Sequence, residues 1–161
     1  MAKEVRKFPP DDQDYALWWL ILHLRRAMRK LRARELFQYG ITPEESSVLS
    51  VVQAVGKRAT PAEIARYLLR EPHSISALLS RMKEEGLVNK VKDLERKNLV
   101  RIELTDKGRK AYKQALKRES IYKVMSCLSE EESQQLSLLL EKLCRKTVEE
   151  LDMRRKPPFL F

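Results

Sequence analysis

Apolar residues recur at helical spacing from Asp14 to Tyr39, where Leu17, Ile21, Leu24, Met28 and Leu31 continue a stripe opened by Tyr15, Trp18, Trp19 and Leu22. This spacing predicts one long helix. Its apolar surface is broader than one small neighbour covers, which predicts burial on more than one side and hence a subunit interface. The second half of the same helix carries Arg25, Arg26, Arg29, Lys30, Arg32 and Arg34. Such a run reads as a solvated face, or as a face that flanks DNA or holds an acidic ligand.

Three further helix starts are written in capping residues. Thr42-Pro43-Glu44-Glu45 and Thr60-Pro61-Ala62-Glu63 each place Thr at the cap, Pro at the first helical position and Glu at the third. Side chains there satisfy the backbone N–H groups a helix leaves unpaired. Ser129-Glu130-Glu131-Glu132 repeats the box without proline. These signals predict helices over about Pro43 to Val55, Pro61 to Leu69 and Glu130 to Leu151.

Between Leu69 and Gly86 a fourth helix is opened by Pro72, with Ile75, Leu78, Leu79 and Met82 on one side. His73, Ser76, Ala77, Ser80, Lys83 and Glu84 face away from that stripe. Two helices joined by a tight turn, the second with a small polar outer face, make a helix-turn-helix candidate. After Gly86 the period changes to two. Leu87 to Val91 and Leu99 to Leu104 alternate as strands on either side of the charged tip from Lys92 to Asn98, which predicts a β-hairpin. Thr105-Asp106 then opens a helix running toward Met125, with a bend expected near Ser120. The tail from Arg154 to Phe161 is not a helix and either docks on a partner or stays disordered.

Composition narrows the function. In 161 residues, 43% hydrophobic side chains stand against 35% charged ones, a soluble globular balance, and only four glycines favour helix over a sheet-rich fold. A formal net charge of +10 points to a polyanionic partner, nucleic acid before an acidic membrane face. The apolar stretch from Ala16 to Leu24 is too short to span a bilayer and lacks a signal-peptide arrangement, so a cytoplasmic protein without a membrane partner is expected. Cys127 and Cys144 stand far apart in sequence, outside any Cys/His cluster, and read as small apolar helix residues, with a redox pair as the alternative. No metal site and no cofactor are expected. Two histidines, no Ser/His or Cys/His arrangement and no glycine-rich phosphate loop argue against an enzyme.

The run Ser74-Ile75-Ser76-Ala77-Leu78-Leu79-Ser80-Arg81-Met82-Lys83-Glu84-Glu85-Gly86-Leu87-Val88 resembles the recognition helix and wing entry of the MarR (multiple-antibiotic-resistance regulator) family. Downstream, Asp93 and Arg101-Ile102-Glu103-Leu104-Thr105-Asp106-Lys107-Gly108 resemble that family's wing and its LTxxG exit. The likeness is carried by Ile41 to Tyr112, and by the flanking helices only in length, order and character. It departs at the wing tip, where Glu95-Arg96-Lys97-Asn98 stands in place of the frequent Asp-Arg-Arg. It departs again at Ala77, where many relatives carry a larger polar or basic residue.

The resemblance implies a mainly α fold with a small β-hairpin wing: a winged helix-turn-helix between N- and C-terminal dimerisation helices. Residues 1–40 would form the N-terminal dimerisation helix, 41–106 the DNA-binding unit, and 107–161 the C-terminal dimerisation helices and tail. The implied partner is double-stranded DNA carrying an inverted repeat, bound by a homodimer that acts as a repressor. His73, Ser74, Ser76, Ala77, Ser80, Arg81 and Lys83 are the candidate major-groove residues, since short side chains let a helix approach the bases closely. Lys90, Lys92, Arg96, Lys97 and Asn98 are the candidate wing residues, with Arg96 and Lys97 both suited to a narrow minor groove.

Tyr15, Trp18, Trp19, Leu22, Leu136, Leu139, Leu140 and Leu143 are the expected dimer interface. The family further implies a small aromatic effector between the dimer helices and the winged unit, for which Trp18, Trp19, His23 and Tyr39 are the candidate lining. A winged helix used only for protein–protein contact is the competing reading, because one fold serves both roles.

Overall fold

The computed structural model describes residues 12–92 and 99–151. Seven helices and one hairpin follow each other in the described chain: α1 (Gln13–Phe37), α2 (Pro43–Val55), α3 (Pro61–Leu68), α4 (Pro72–Glu84), β1 (Val88–Lys92), β2 (Val100–Leu104), α5 (Asp106–Ala115), α6 (Glu119–Met125) and α7 (Glu130–Glu150). The fold is that of a winged helix-turn-helix flanked by long terminal helices.

The capping signals mark real boundaries. Thr42 and Ser129 each accept from the backbone of the glutamate three residues on, while Glu45 and Glu132 accept from the cap N–H in return. Thr60 and Thr105 cap α3 and α5 through Glu63 and Gly108. The long first helix stops two residues short of Tyr39, because the N–H of Ile41 turns back to the carbonyl of Leu36 and Gly40 takes a left-handed φ of 67°. Likewise α3 ends at Leu68: Leu69 itself is left-handed, at φ 50° and ψ 47°, and turns the chain toward α4.

One expectation holds only in part. The helix predicted to run from Thr105 to Met125 with a bend near Ser120 is two helices, broken between Ala115 and Glu119, with Arg118 left-handed at φ 53°. The cause lies on α1. The carboxylate of Glu35, buried at the end of that helix, accepts from the N–H of Glu119 at 3.0 Å and of Ser120 at 3.1 Å, and from the Ser120 hydroxyl. Arg32 pairs with Glu35 at 2.6 Å and donates to the carbonyl of Ala115, also at 2.6 Å, so both ends of the break are held from α1.

The core of the winged unit is built from Val48 and Leu49 of α2, Ile64 of α3, Ile75, Leu79 and Met82 of α4, and Leu87, Val88 and Ile102 beside them, all essentially inaccessible to solvent. Strands β1 and β2 pair antiparallel with Val88 opposite Leu104 and Lys92 opposite Val100. The N–H of Ile102 also donates to the carbonyl of Ala59, which fastens the hairpin to the loop before α3. The tip residues 93–98 and the tail 152–161 lie outside the described residues, so the expectations for Arg96, Lys97, Asn98 and the segment from Arg154 do too.

Outside that unit the picture inverts. Along α1 and α7 large apolar side chains face solvent, among them Tyr15, Leu17, Trp18, Leu20, Leu24, Leu138, Leu139 and Leu143; within α7 only Val148 is buried. Arg29 ties α1 to α2 through two hydrogen bonds to Glu44, at 2.9 and 2.8 Å.

Candidate nucleic-acid interface

Helix α4 presents two unlike sides because its apolar positions fall at i, i+3, i+4 and i+7. Ile75, Leu78, Leu79 and Met82 are buried against the core. His73, Ser76, Ala77, Ser80, Arg81 and Lys83 are exposed and Ser74 is half-buried, so every major-groove candidate lies at the surface of one helix. A side of Ser, Ala and Ser stands low enough for the helix backbone to approach a flat or grooved partner closely.

The hydroxyls are not idle. Ser80 donates to the carbonyl of Ser76 at 3.0 Å and accepts from Nζ of Lys90 at 3.1 Å. The wing therefore reaches onto the exposed side of α4, and Lys83 and Lys90 flank one shallow depression together with Ser80 and Glu84. Lys92 is also exposed, at the end of β1. Positive charge and short hydrogen-bonding side chains thus share one surface, which suits phosphate positioning beside groove readout.

Arg81 points elsewhere. Its Nη2 lies 3.3 Å from Oε1 of Glu45 on α2, and its Nε lies 3.7 Å from Glu85. Oε2 of Glu45 accepts from the N–H of Thr42 at 2.8 Å, so this one buried carboxylate serves the α2 cap and Arg81 at once. Burial, then the nearby charge of Glu45, push the Glu85 carboxyl above the ordinary carboxylate value, and Arg81 and Lys107 oppose that rise only in part. Nζ of Lys107 donates to the carbonyl of Glu85 at 2.6 Å, which closes the C-terminal end of α4. Glu45, Glu85 and Lys107 were missed as functional neighbours. The capping box marked Glu45, but nothing in sequence ties it to a guanidinium 36 positions away.

The four residues expected to line an effector pocket are not brought together. An apolar cleft of about 250 Å³ is lined by Trp18, Ile21 and Leu22 of α1, by Leu69, and by Leu140, Leu143, Cys144, Thr147 and Val148 of α7 with Leu151. Trp19 instead stands edge-on to Tyr15, ring centroids 6.1 Å apart, and against His23 at 5.0 Å. Tyr39 packs on the core of the winged unit with Lys117 over its ring, beyond the end of α1 and about 28 Å or more along the helix axis from Trp18. Helical rotation explains the split. Trp18, Ile21 and Leu22 are related as i, i+3 and i+4, and Tyr15, Trp19 and His23 as i−4, i and i+4, so adjacent tryptophans serve different sides. Cys127 and Cys144 are both exposed in the chain, against the expectation of buried apolar residues.

Among the described residues no three His, Cys, Asp or Glu side chains gather as metal ligands, and no helix is long and apolar enough to cross a membrane.

Comparison with known proteins bears on the same elements. The model of the MarR family matches residues 39–93, which span α2, the helix-turn-helix and β1. No curated protein sequence matches the chain. The crystal structure of the organohalide-sensing RdhR-CbdbA1625 transcriptional regulator in its 2,4-dichlorophenol-bound form is similar over 100% of this chain and 98% of its own, at 30% identity and a TM-score of 0.85. The S. aureus MepR–DNA complex is similar over 80% of this chain and 96% of its own, at 26% identity and a TM-score of 0.74. A cysteine-to-serine mutant of MarR from E. coli, complexed with operator DNA, shares the fold at 22% identity and a TM-score of 0.74, over 79% of this chain and 92% of its own.

Proposed function

Because this chain belongs to the MarR family of transcriptional regulators, we propose that it is a cytoplasmic, homodimeric repressor that places α4 in the major groove at each half of an inverted repeat. The observation that carries the reading is the outer side of α4: Ser76, Ala77 and Ser80 exposed in a row, with Lys83 and Lys90 beside them. Among the described residues only the exposed Lys90 reaches that row, at Ser80, and the row's short side chains suit close approach to base edges. Lys90 and Lys92 supply phosphate contacts on the wing side, and His73 and Ser74 do so where α4 begins.

Two copies follow from the apolar residues left in solvent on α1 and α7. Tyr15, Trp18, Trp19, Leu22, Leu136, Leu139, Leu140 and Leu143 supply the contact, because a second copy is the partner that offers the same sequence twice about a two-fold axis. A symmetric dimer spaces its two α4 helices for half-sites about one helical turn apart.

The effector is a small aromatic molecule of low polarity, held in the cleft between α1 and α7. The lining there is almost wholly apolar, and Leu69 in its wall leads through Arg70 and Glu71 directly into α4. A compound seated there alters DNA affinity only by binding one separation of the two α4 helices better than another. That RdhR-CbdbA1625 has a 2,4-dichlorophenol-bound form supports the same chemical class here.

Substituting Ala77→Glu puts a carboxylate where phosphates and base acceptors would crowd, with no loss of core packing. The expected result is loss of duplex binding with thermal stability unchanged, read by fluorescence anisotropy and calorimetry. Undiminished binding of the variant would remove α4 from the interface.

A further inference from the structure

Arg81 is the basic residue of α4 that the exposed row does not absorb. The apolar stripe beneath the helix fixes its depth and, through interdigitation, its coarse orientation, which leaves only small adjustments of roll to other contacts. Roll matters for readout: a turn of about 10° carries a side-chain tip at a radius of about 5–6 Å through about 1 Å, a sizeable part of a hydrogen-bond length. Polar ties on the flanks of α4 supply that fine adjustment. Lys107 holds the Glu85 carbonyl and Lys90 holds the Ser80 hydroxyl, both from exposed and pliant lysines. The third tie differs in kind, because the side chain of Glu45 is only 3% exposed while that of Arg81 is 54% exposed.

We propose that Arg81 is a positioning residue that locks the roll of the recognition helix to the start of α2 through Glu45, and that it does not itself bind DNA. The inference rests on the DNA-binding reading given above. Drawing the guanidinium away to a phosphate would leave a buried carboxylate without its cation, with the N–H of Thr42 and the neighbouring Glu85 carboxyl as its remaining partners, a cost that an ordinary surface arginine does not meet. Glu85, 3.7 Å from Nε, adds a looser ion pair on the same side, so the guanidinium lies between α2 and the end of α4. Because Glu45 also completes the α2 cap, the roll of α4 is referenced to the first turn of its neighbour and not to a mobile loop.

The test uses the full-length protein, the duplex it enriches from a random pool, and a shuffled duplex of equal length. Glu45→Gln keeps the capping box, which accepts glutamine, and removes the charge that holds Arg81. The lock predicts that this variant binds the enriched duplex about 5- to 10-fold more weakly and the shuffled duplex as before. Arg81→Met is predicted to do the same with the salt dependence of binding unchanged, and Glu45→Gln/Arg81→Met serves in its place if the single variant unfolds. Were Arg81 a phosphate contact, Arg81→Met would lower the salt slope by about 0.9, and Glu45→Gln, which frees the guanidinium, would leave binding unchanged or tighter. Either result overturns the lock alone. A wild-type protein that enriches no sequence overturns the DNA reading and the lock with it.

Discussion

Glu35 is the single side chain on which the junction of winged unit and terminal helices depends most. Burial by itself would raise its carboxyl, but hydrogen bonds from Arg32 and Ser120 outweigh that and hold it below the ordinary carboxylate value. The folded value is thus depressed relative to the unfolded chain. Its stabilisation is complete above the unfolded value and is lost as pH falls through the folded one. Glu85 has the opposite sign: its raised folded value gives stability present below the unfolded value and lost as pH rises through the folded one. Replacing Glu35→Ala removes one partner of a buried pair and uncaps α6, which should lower unfolding free energy by about 2–4 kcal/mol near neutral pH. Denaturant titrations at several pH values check this, since the variant should also lose part of the acid-side decline of the wild type. A variant as stable as the wild type would detach Glu35 from the account.

Elements whose causes are local could be read from sequence, and those with distant causes could not. Helix α2 has the predicted bounds, and α3 and α7 start as predicted and end within one residue, because a Thr or Ser cap and its glutamate lie three positions apart. The break between α5 and α6 was misplaced because its cause, Glu35, stands 84 positions from Glu119. The residues expected to line an effector site are dispersed in the chain for a different reason: adjacent helical residues point about 100° apart, so Trp18 and Trp19 serve different sides of α1. Every α4 candidate is at the surface, since helical period alone separates its two sides. Arg81 is exposed as well, but its pairing with Glu45 was hidden by distance along the chain.

The element most tightly seated is the start of α5, where a Cβ added at Gly108 would lie 2.0 Å from the backbone carbonyl oxygen of Leu87. Backbone cannot swing aside as a side chain can, so Gly108→Ala should force α5 away from the wing entry. A loss of about 2–3 kcal/mol is expected from this overpacking, measured as a lowered Tm. An unchanged Tm would mean that α5 is not docked as described.

Taken whole, the molecule is a buried core carrying α4 at its surface, with apolar arms in solvent. Leu139 is 60% exposed in the single chain. Leu139→Glu should therefore leave the fold of each chain intact but place a charge in the proposed subunit contact. Sedimentation equilibrium should show monomers, with affinity for the full palindrome reduced at least about 100-fold. A variant that stays dimeric would move the interface elsewhere. With a net charge of +10, binding of any duplex should also weaken steeply with salt, so affinities carry meaning only at a stated ionic strength.

Selection of bound sequences from random duplex DNA by the purified protein addresses function and symmetry together. An enriched inverted repeat with half-sites about one helical turn apart is the predicted outcome, with a single half-site bound far more weakly than the pair. A pool that shows no enrichment, or a half-site bound as tightly as the whole, would contradict a two-fold regulator that reads DNA through α4.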